Sequence, residues 1–430
     1  MSMSTVTKAD PAVQASFDFL GDLLRHYGPR DFAVRAWDGT VWEPDAGQSA
    51  RFTIVLQHPG AVRRMFWPPS QYTLGEAYIY DDIDIEGDIH AFFRFINYLR
   101  EMRPGPVQRL RWLRRLFALP GGGRPRTGRQ KANLHGTVHS RQRDSQAVSY
   151  HYDVSNEFYQ LWLDSRMVYS CAYFADPGDD IDTAQKRKLD YICRKLRLLP
   201  GARLLDIGCG WGGLVMHAAQ QYGVQALGIT LSRPQVELAR ERIRQVGLQD
   251  RCRVEYQDYR EVSGTFDKLV SVGMFEHVGG KMLPVYFRQA HALLRPGGVF
   301  LNHGIALSGW LRKPPGQPFS QRYVFPDGEL KSIHVTLKAA EQAGLEVRDV
   351  ESLREHYALT LTNWVRRLEA RADEARRLTD ETTYRIWRLY MAGSADGFRC
   401  ARGNIYQTLL VKPDHGASGL PLTRADWYTG

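Results

Sequence analysis

An α/β chain built on a Rossmann-like parallel sheet, with a smaller α+β domain ahead of it, is predicted by three features of the sequence. Residues 204–207 form a short apolar run after Pro200-Gly201, lead into the glycine-rich turn Gly208-Cys209-Gly210-Trp211-Gly212-Gly213, and are followed by an alanine-rich helical pattern over 214–221. That order is strand, tight loop, helix, the first βα turn of such a sheet. Further apolar strands are expected at 225–229, 252–256 and 266–272, each ending in a polar loop. Finally, 430 residues with 43% hydrophobic and 24% charged content supply core for two globular domains.

Taken in order, helical spacing runs over 15–27, strand-like segments over 32–42 and 51–57, and short helices over 61–67 and 74–80. The acidic stretch 81–88 and an aromatic-rich helix at 90–99 close a small α+β module, residues 1–102. Residues 103–143 contain eleven Lys or Arg and no Asp or Glu, and Val107, Leu110, Leu113, Leu116 and Phe117 fall on one helical face. A basic amphipathic helix reads as a membrane-surface element, and equally as a helix packed on its own protein with a solvated basic rim. A nucleic-acid partner is the third reading, and no recognisable motif supports it. The breaker cluster 120–125 makes the rest of residues 103–145 a linker. The catalytic domain is then 146–412, with an apolar strand at 299–301, a loop at 314–319, helices at 337–343 and 359–375, and strands at 345–352 and 404–411. Residues 413–430 are expected to be a loose carboxyl-terminal tail.

The net charge of +10, from 57 basic and 47 acidic residues, suits an anionic partner. Five scattered cysteines without a C-x-x-C pair indicate neither a metal site nor a disulfide framework and fit a reducing cytosol. Residues 1–13 lack the apolar core of a signal peptide, and no apolar run is long enough to span a bilayer.

Gly208, Gly210 and Gly212 let the backbone bend sharply and a ligand come close, and the next helix offers its free N–H groups. Such a turn alone reads as readily as a structural loop or a dinucleotide site. Asp206 at the strand end shifts the balance, because it repels a pyrophosphate and suits a cationic amino-acid ligand. No Lys follows the glycines to meet a phosphate. The stretch D-I-G-C-G-W-G-G resembles motif I of the S-adenosylmethionine (SAM) methyltransferases, which implies a class I SAM-dependent methyltransferase sheet. Downstream, Thr230, Ser232 and Gln235 at a capped helix start can hold a ribose or the methionine moiety, and Asp258 with Tyr259 suits an adenine. Ligands of open α/β sheets sit beyond the carboxyl ends of the strands, so these loops converge on one crevice.

Two aromatic blocks, 150–159 and 169–174, precede the sheet. They read as ordinary core, or as π faces shielding an electron-poor intermediate.

The resemblance becomes specific when six motifs are taken together and in order: H-Y-D-V-S-N at 151–156, Y-S-C-A-Y-F at 169–174, D-I-G-C-G-W-G-G at 206–213, T-L-S-x-x-Q at 230–235, Q-D-Y-R at 257–260 and G-M-F-E-H-V-G at 273–279. The chain from about residue 150 to 411 is similar to the cyclopropane-fatty-acid synthases, a family that includes the mycolic-acid cyclopropane synthases. L-G-E-A-Y at 74–78 resembles the additional amino-terminal domain of the phospholipid-acting members.

That resemblance implies SAM as methyl donor, an unsaturated acyl chain of a membrane phospholipid as acceptor, and a bound bicarbonate. An isolated alkene has no proton to remove beforehand, so methyl transfer leaves a carbocation, and ring closure needs a base for a proton of the transferred methyl. By resemblance, Glu276 orients the bicarbonate and accepts its proton, His303 and Tyr357 donate to it, Cys171 offers its backbone N–H, and Tyr169 and Ser170 contact SAM. Taken singly, Glu276 reads as well as a helix cap, and His303 and Tyr357 as core residues. Two departures stand out. Ser394 occupies the position of the family's cysteine, four residues before Phe398, and Gly304 stands where relatives often have Thr. The cation could alternatively shift a hydride and end as a methylene branch. The resemblance also implies a homodimer through the amino-terminal module and a cytoplasmic protein peripheral to the inner face of the cell membrane. A non-catalytic lipid-surface binder, an RNA-directed SAM enzyme and a small-molecule methyltransferase are the rivals. The first predicts no SAM binding, the second a nucleic-acid module, and the third no amino-terminal module.

Overall fold

The computed structural model describes residues 10–428 apart from 71, 153 and 310–317. Two compact units are formed, one from residues up to Gln130 together with Asp380–Gly393, the other from Lys131–Thr379 and Ser394 onward.

The first unit carries a four-stranded sheet in the order β2-β1-β3-β4, with β1 Phe32–Arg35, β2 Val41–Trp42, β3 Phe52–Leu56 and β4 Ile83–Gly87. β1 and β3 run parallel, and β4 pairs antiparallel to β3. The ring of Phe32 stacks on that of Phe52 at 4.8 Å, and Phe92 and Phe95 from the helix Ile89–Glu101 close over them. The expected strand at 32–42 is a β1–β2 pair, and the acidic stretch is β4, with Ile83 and Ile85 buried between outward carboxylates. The unit reaches beyond a contiguous amino-terminal module because two buried arginines tie Asp380–Gly393 to it. Arg385 donates to the carbonyls of Tyr78 (2.9 Å) and Ile83 (3.1 Å), and Arg388 donates to that of Ile85 (2.9 Å).

The second unit is a seven-stranded sheet in the order β10-β11-β9-β8-β5-β6-β7. Its strands are β5 Arg203–Ile207, β6 Gln225–Thr230, β7 Cys252–Tyr256, β8 Phe266–Val272, β9 Leu294–Leu307, β10 Glu346–Ser352 and β11 Gly403–Val411. β7, β6, β5, β8 and β9 are mutually parallel, and β11 lies antiparallel between β9 and β10. The chain leaves β5 toward β6 on one side and returns to β8 on the other. The crevice of an open α/β sheet therefore lies at the β5–β8 boundary. Apolar clusters fill both faces: Leu204, Val270 and Leu301 point to one, Leu205, Leu269 and Phe300 to the other.

The segment expected at 299–301 is the middle of the much longer β9, and the helix expected at 359–375 starts earlier and breaks at Arg371 into Arg354–Ala370 and Ala372–Leu378. The expected loop at 314–319 lies largely outside the described residues. The tail is anchored, contrary to a loose end. Trp427 is buried against the core, with the ammonium of Lys195 5.1 Å above its ring.

Gly208 has φ +87°, and a Cβ there would sit 2.6 Å from the Met274 side chain. Gly208→Ala should therefore cost about 1–3 kcal/mol of stability, visible as a lower melting temperature, and should weaken SAM binding in a titration.

Candidate active site

The strand-end loops of β5, β6, β7 and β8 enclose one cavity. Tyr169, Ser170, Asp206, Gly208, Gly210, Thr230, Gln235, Asp258 and Tyr259 all line it. Gly212 and Ser232 do not. Gly212 turns the chain into the helix Gly213–Tyr222 at φ +79°, and the Ser232 hydroxyl oxygen caps the helix Arg233–Gln245 by accepting from the N–H of Gln235. Both shape the wall from behind it.

The polar groups of the cavity are prepared differently. Asp206 is buried, and its Oδ1 has no partner. Burial pushes its carboxyl up to about 7 against the opposing pull of Lys188. Thr230 donates to Gln235 Oε1 at 2.7 Å, which leaves the amide hydrogens of Gln235 for another acceptor. Asp258 is already engaged, because the guanidinium of Arg260 donates to both of its oxygens, at 2.8 and 2.6 Å. Burial alone would raise that carboxyl, and the bonds from Arg260 hold it below its ordinary range.

Asn156 explains why separate motifs occur together. Its Oδ1 accepts from the indole N–H of Trp211 at 2.7 Å, and its Nδ2 donates to the carbonyl of Pro234 at 3.4 Å. One amide thus braces the glycine turn against the loop after β6. His151, near the end of the preceding helix Arg141–Tyr152, stacks on Phe325 at 3.9 Å with its Nδ1 2.9 Å from the carbonyl oxygen of Val324. Tyr152, Tyr159, Trp162, Tyr169, Trp211 and Trp364 form a continuous aromatic cluster beside the cavity.

Outside the cavity lining, Glu276 Oε2 and His303 Nε2 are among the buried polar atoms of the described residues left unpartnered. Glu276 lies four residues past β8, and its Oε1 accepts from the N–H of Ile305 at 2.8 Å. Ile305 is two residues beyond His303 on β9, so both side chains leave the same face of that strand. Burial raises the Glu276 carboxyl to about 7, and it drives the His303 imidazole well below its ordinary value, so the ring is neutral.

A protein-family model described as mycolic acid cyclopropane synthetase matches residues 139–408, and a model of a domain of unknown function matches residues 19–101. A Pseudomonas putida protein named "probable fatty acid methyltransferase" is 42% identical over 92% of this chain and 95% of its own length. The cyclopropane-fatty-acyl-phospholipid synthase of Escherichia coli is 37% identical over 61% of this chain and 66% of its own. A solved mycolic acid cyclopropane synthase, CmaA1 complexed with SAH and CTAB, superposes with a TM-score of 0.59 at 34% identity, covering 62% of this chain and 97% of that one. The chain belongs to the mycolic acid cyclopropane synthetase family.

It is accordingly a SAM-dependent methyltransferase of the class I fold, from a family that transfers one-carbon units to lipid double bonds. Tyr357 is buried in the helix Arg354–Ala370, its ring 4.8 Å from that of Phe398. Ser394 is half-buried one helical turn before Phe398. Cys171 is fully buried; its Sγ lies 3.3 Å from the carbonyl oxygen of Ala172, and burial pushes the thiol far up, so it is no nucleophile. Gly304 is explained by its neighbour, since a Cβ there would fall 1.8 Å from the ring of Phe275.

The residues unforeseen in the sequence are Lys188, Lys195 and Gln407. Lys188 lines the cavity and donates to Ser170 Oγ at 2.8 Å, and Gln185 donates to the carbonyls of Val168 and Ser170. Their signal was present: Gln185, Lys188 and Lys195 fall on the same helical face as Ile181, Leu189, Ile192 and Leu196. Polar side chains on an apolar stripe are buried for a reason.

A SAM cation bound against Asp206 would favour its ionised form, so protons would compete with it below the raised pKa. SAM affinity measured by titration calorimetry should fall as pH drops below about 7, by up to about tenfold per pH unit. Asp206→Asn should bind SAM weakly and without that slope.

Proposed function

We propose that this enzyme transfers the methyl group of SAM to the cis double bond of an unsaturated acyl chain in a membrane phospholipid and closes a cyclopropane ring. The observation that carries the reading is the pair of buried, unpartnered atoms Glu276 Oε2 and His303 Nε2. A neutral imidazole N–H, with a carboxyl near its titration point held at the N–H of Ile305 two residues further along the strand, suits a small oxyanion carrying a hydroxyl, such as bicarbonate. Bound SAM supplies an electrophilic methyl, and bound bicarbonate an acceptor for the proton lost on ring closure.

In this reading Asp206 holds the amino-acid portion of SAM, with Tyr169 and Ser170 at the same edge of the cavity. Glu276 orients the anion and takes its proton, which a carboxyl raised to about 7 can hold. His303 donates through Nε2, Tyr357 through its phenol, Cys171 through its backbone N–H and Ser394 through its hydroxyl. The π faces of Tyr152, Tyr169 and Trp211 line the cavity and suit a cation on the acyl chain. The alternative product of the same cation is a methylene-branched chain; Ser394 stands where the family has cysteine, and the Pseudomonas putida relative is named only as a fatty acid methyltransferase.

The helix Pro106–Ala118 supports work at an anionic membrane surface from the cytoplasmic side. Among its residues only Leu116 is buried, while Val107 is 83% exposed and Leu110 and Phe117 about half exposed, beside Arg111, Arg114 and Arg115. Apolar contacts and basic charge together are what an interfacial helix needs. Among the described residues no helix is long and apolar enough to cross a membrane.

Purified protein incubated with labelled SAM and vesicles of a cis-unsaturated anionic phospholipid should label the lipid. NMR then separates the high-field ring protons from a methylene branch, and no labelled lipid would refute the assignment. Glu276→Gln should abolish product while still binding SAM; full activity of that variant would remove Glu276 from its role. Charge reversal at Arg111, Arg114 and Arg115 should reduce co-sedimentation with anionic vesicles, most at low salt.

A further inference from the structure

A line of polar side chains crosses three strands of the second unit at one register position. His303 on β9 stands directly opposite Gln407 on β11, and Gln407 stands opposite Glu351 on β10. His303 and Gln407 are essentially inaccessible to solvent. Lys195, equally buried in the helix Ile181–Leu196, donates to Gln407 Oε1 at 2.8 Å and also to Glu351. Tyr191, one turn earlier, donates to Glu351 at 3.0 Å. The Lys195 ammonium is further held over the ring of Tyr191 at 4.4 Å. Gln407 Nε2 lies 3.5 Å from His303 Nδ1, and His303 Nε2 is the atom left without a partner.

Donor and acceptor bookkeeping allows one arrangement of these groups. An ammonium only donates, so Gln407 must turn its carbonyl oxygen to Lys195 and its NH2 to His303. An amide N–H facing Nδ1 requires a lone pair there, and a neutral imidazole then carries its hydrogen on Nε2. The ring is kept neutral by burial and by the positive charges of Lys188 and Lys195.

We propose that Lys195 and Gln407 are positioning residues that fix His303 as the Nε2–H tautomer, so that the ring presents a hydrogen to an oxyanion acceptor rather than a lone pair. The side-chain order Lys195, Gln407, His303 sets a donor at the far end of the line without any of the first two touching substrate. The inference rests on the reading of Glu276 and His303 as an anion site.

The test is a ring-nitrogen NMR measurement on full-length protein with labelled histidine, His303 being assigned by its loss in His303→Asn. The wild type should show a bare Nδ1 and a protonated Nε2, and the opposite tautomer overturns the proposal. In Gln407→Leu the single tautomer should be lost, and the bicarbonate concentration for half-maximal activity should rise at least tenfold with SAM affinity unchanged. Lys195→Met, which keeps the amide but frees its orientation, should shift the tautomer in the same direction. Retention of the wild-type tautomer and bicarbonate dependence in a folded Gln407→Leu protein would also overturn it. If wild-type activity does not respond to bicarbonate while the tautomer lock is present in the wild type and lost in Gln407→Leu, the anion-site reading fails and the positioning role stands.

Discussion

The constraint on which the catalytic unit turns is that polar groups without internal partners are kept inside a packed sheet. Asp206, Glu276 and His303 each carry an unpartnered buried atom. Each such atom costs about 1–3 kcal/mol, and a chain under no functional pressure would replace it with an apolar group. Asp206 and Glu276 are carried at the end of β5 and just beyond β8, and His303 lies within β9 opposite Val272, the last residue of β8. A ligand arriving there completes the hydrogen bonding that the fold leaves open, so binding energy is concentrated where the chemistry occurs.

The surroundings of those groups set their protonation states without ion pairs to neutralise them. Burial raises the two carboxyls toward neutrality and lowers the imidazole. Lys188, itself lowered to about 8 by burial, pulls the Asp206 carboxyl toward its charged form and donates to Ser170. The result is a site whose groups can donate or accept near neutral pH, which suits methyl transfer to an alkene followed by loss of a single proton.

Much of this was legible in the sequence because it is local. The glycine turn, its preceding acid and the strand-end polar residues lie within short stretches, and backbone chemistry dictates their shape. Long-range pairings were not legible. Nothing local to residues 380–393 says that Arg385 and Arg388 bond to carbonyls some three hundred residues earlier. The strand β4 alternates Ile83 and Ile85 with Asp84 and Glu86, yet its acidity obscured that period. Gly212 and Ser232 show the converse error: motif membership marks a residue as important without saying whether it touches the ligand or shapes the loop that does. Gln407 meets His303 only through cross-strand register, and Lys195 meets Gln407 only through the packing of its helix on the sheet, neither of which a single sequence discloses.

The fit of Phe275 against the hydrogen atoms of Gly304 leaves no room for a side chain at that position. Phe275 immediately precedes Glu276, so any change that enlarges residue 304 must first move the neighbour of the proposed base. A side chain at residue 304 therefore acts on the proposed anion site indirectly, by displacing the Phe275 ring and with it the backbone that carries Glu276.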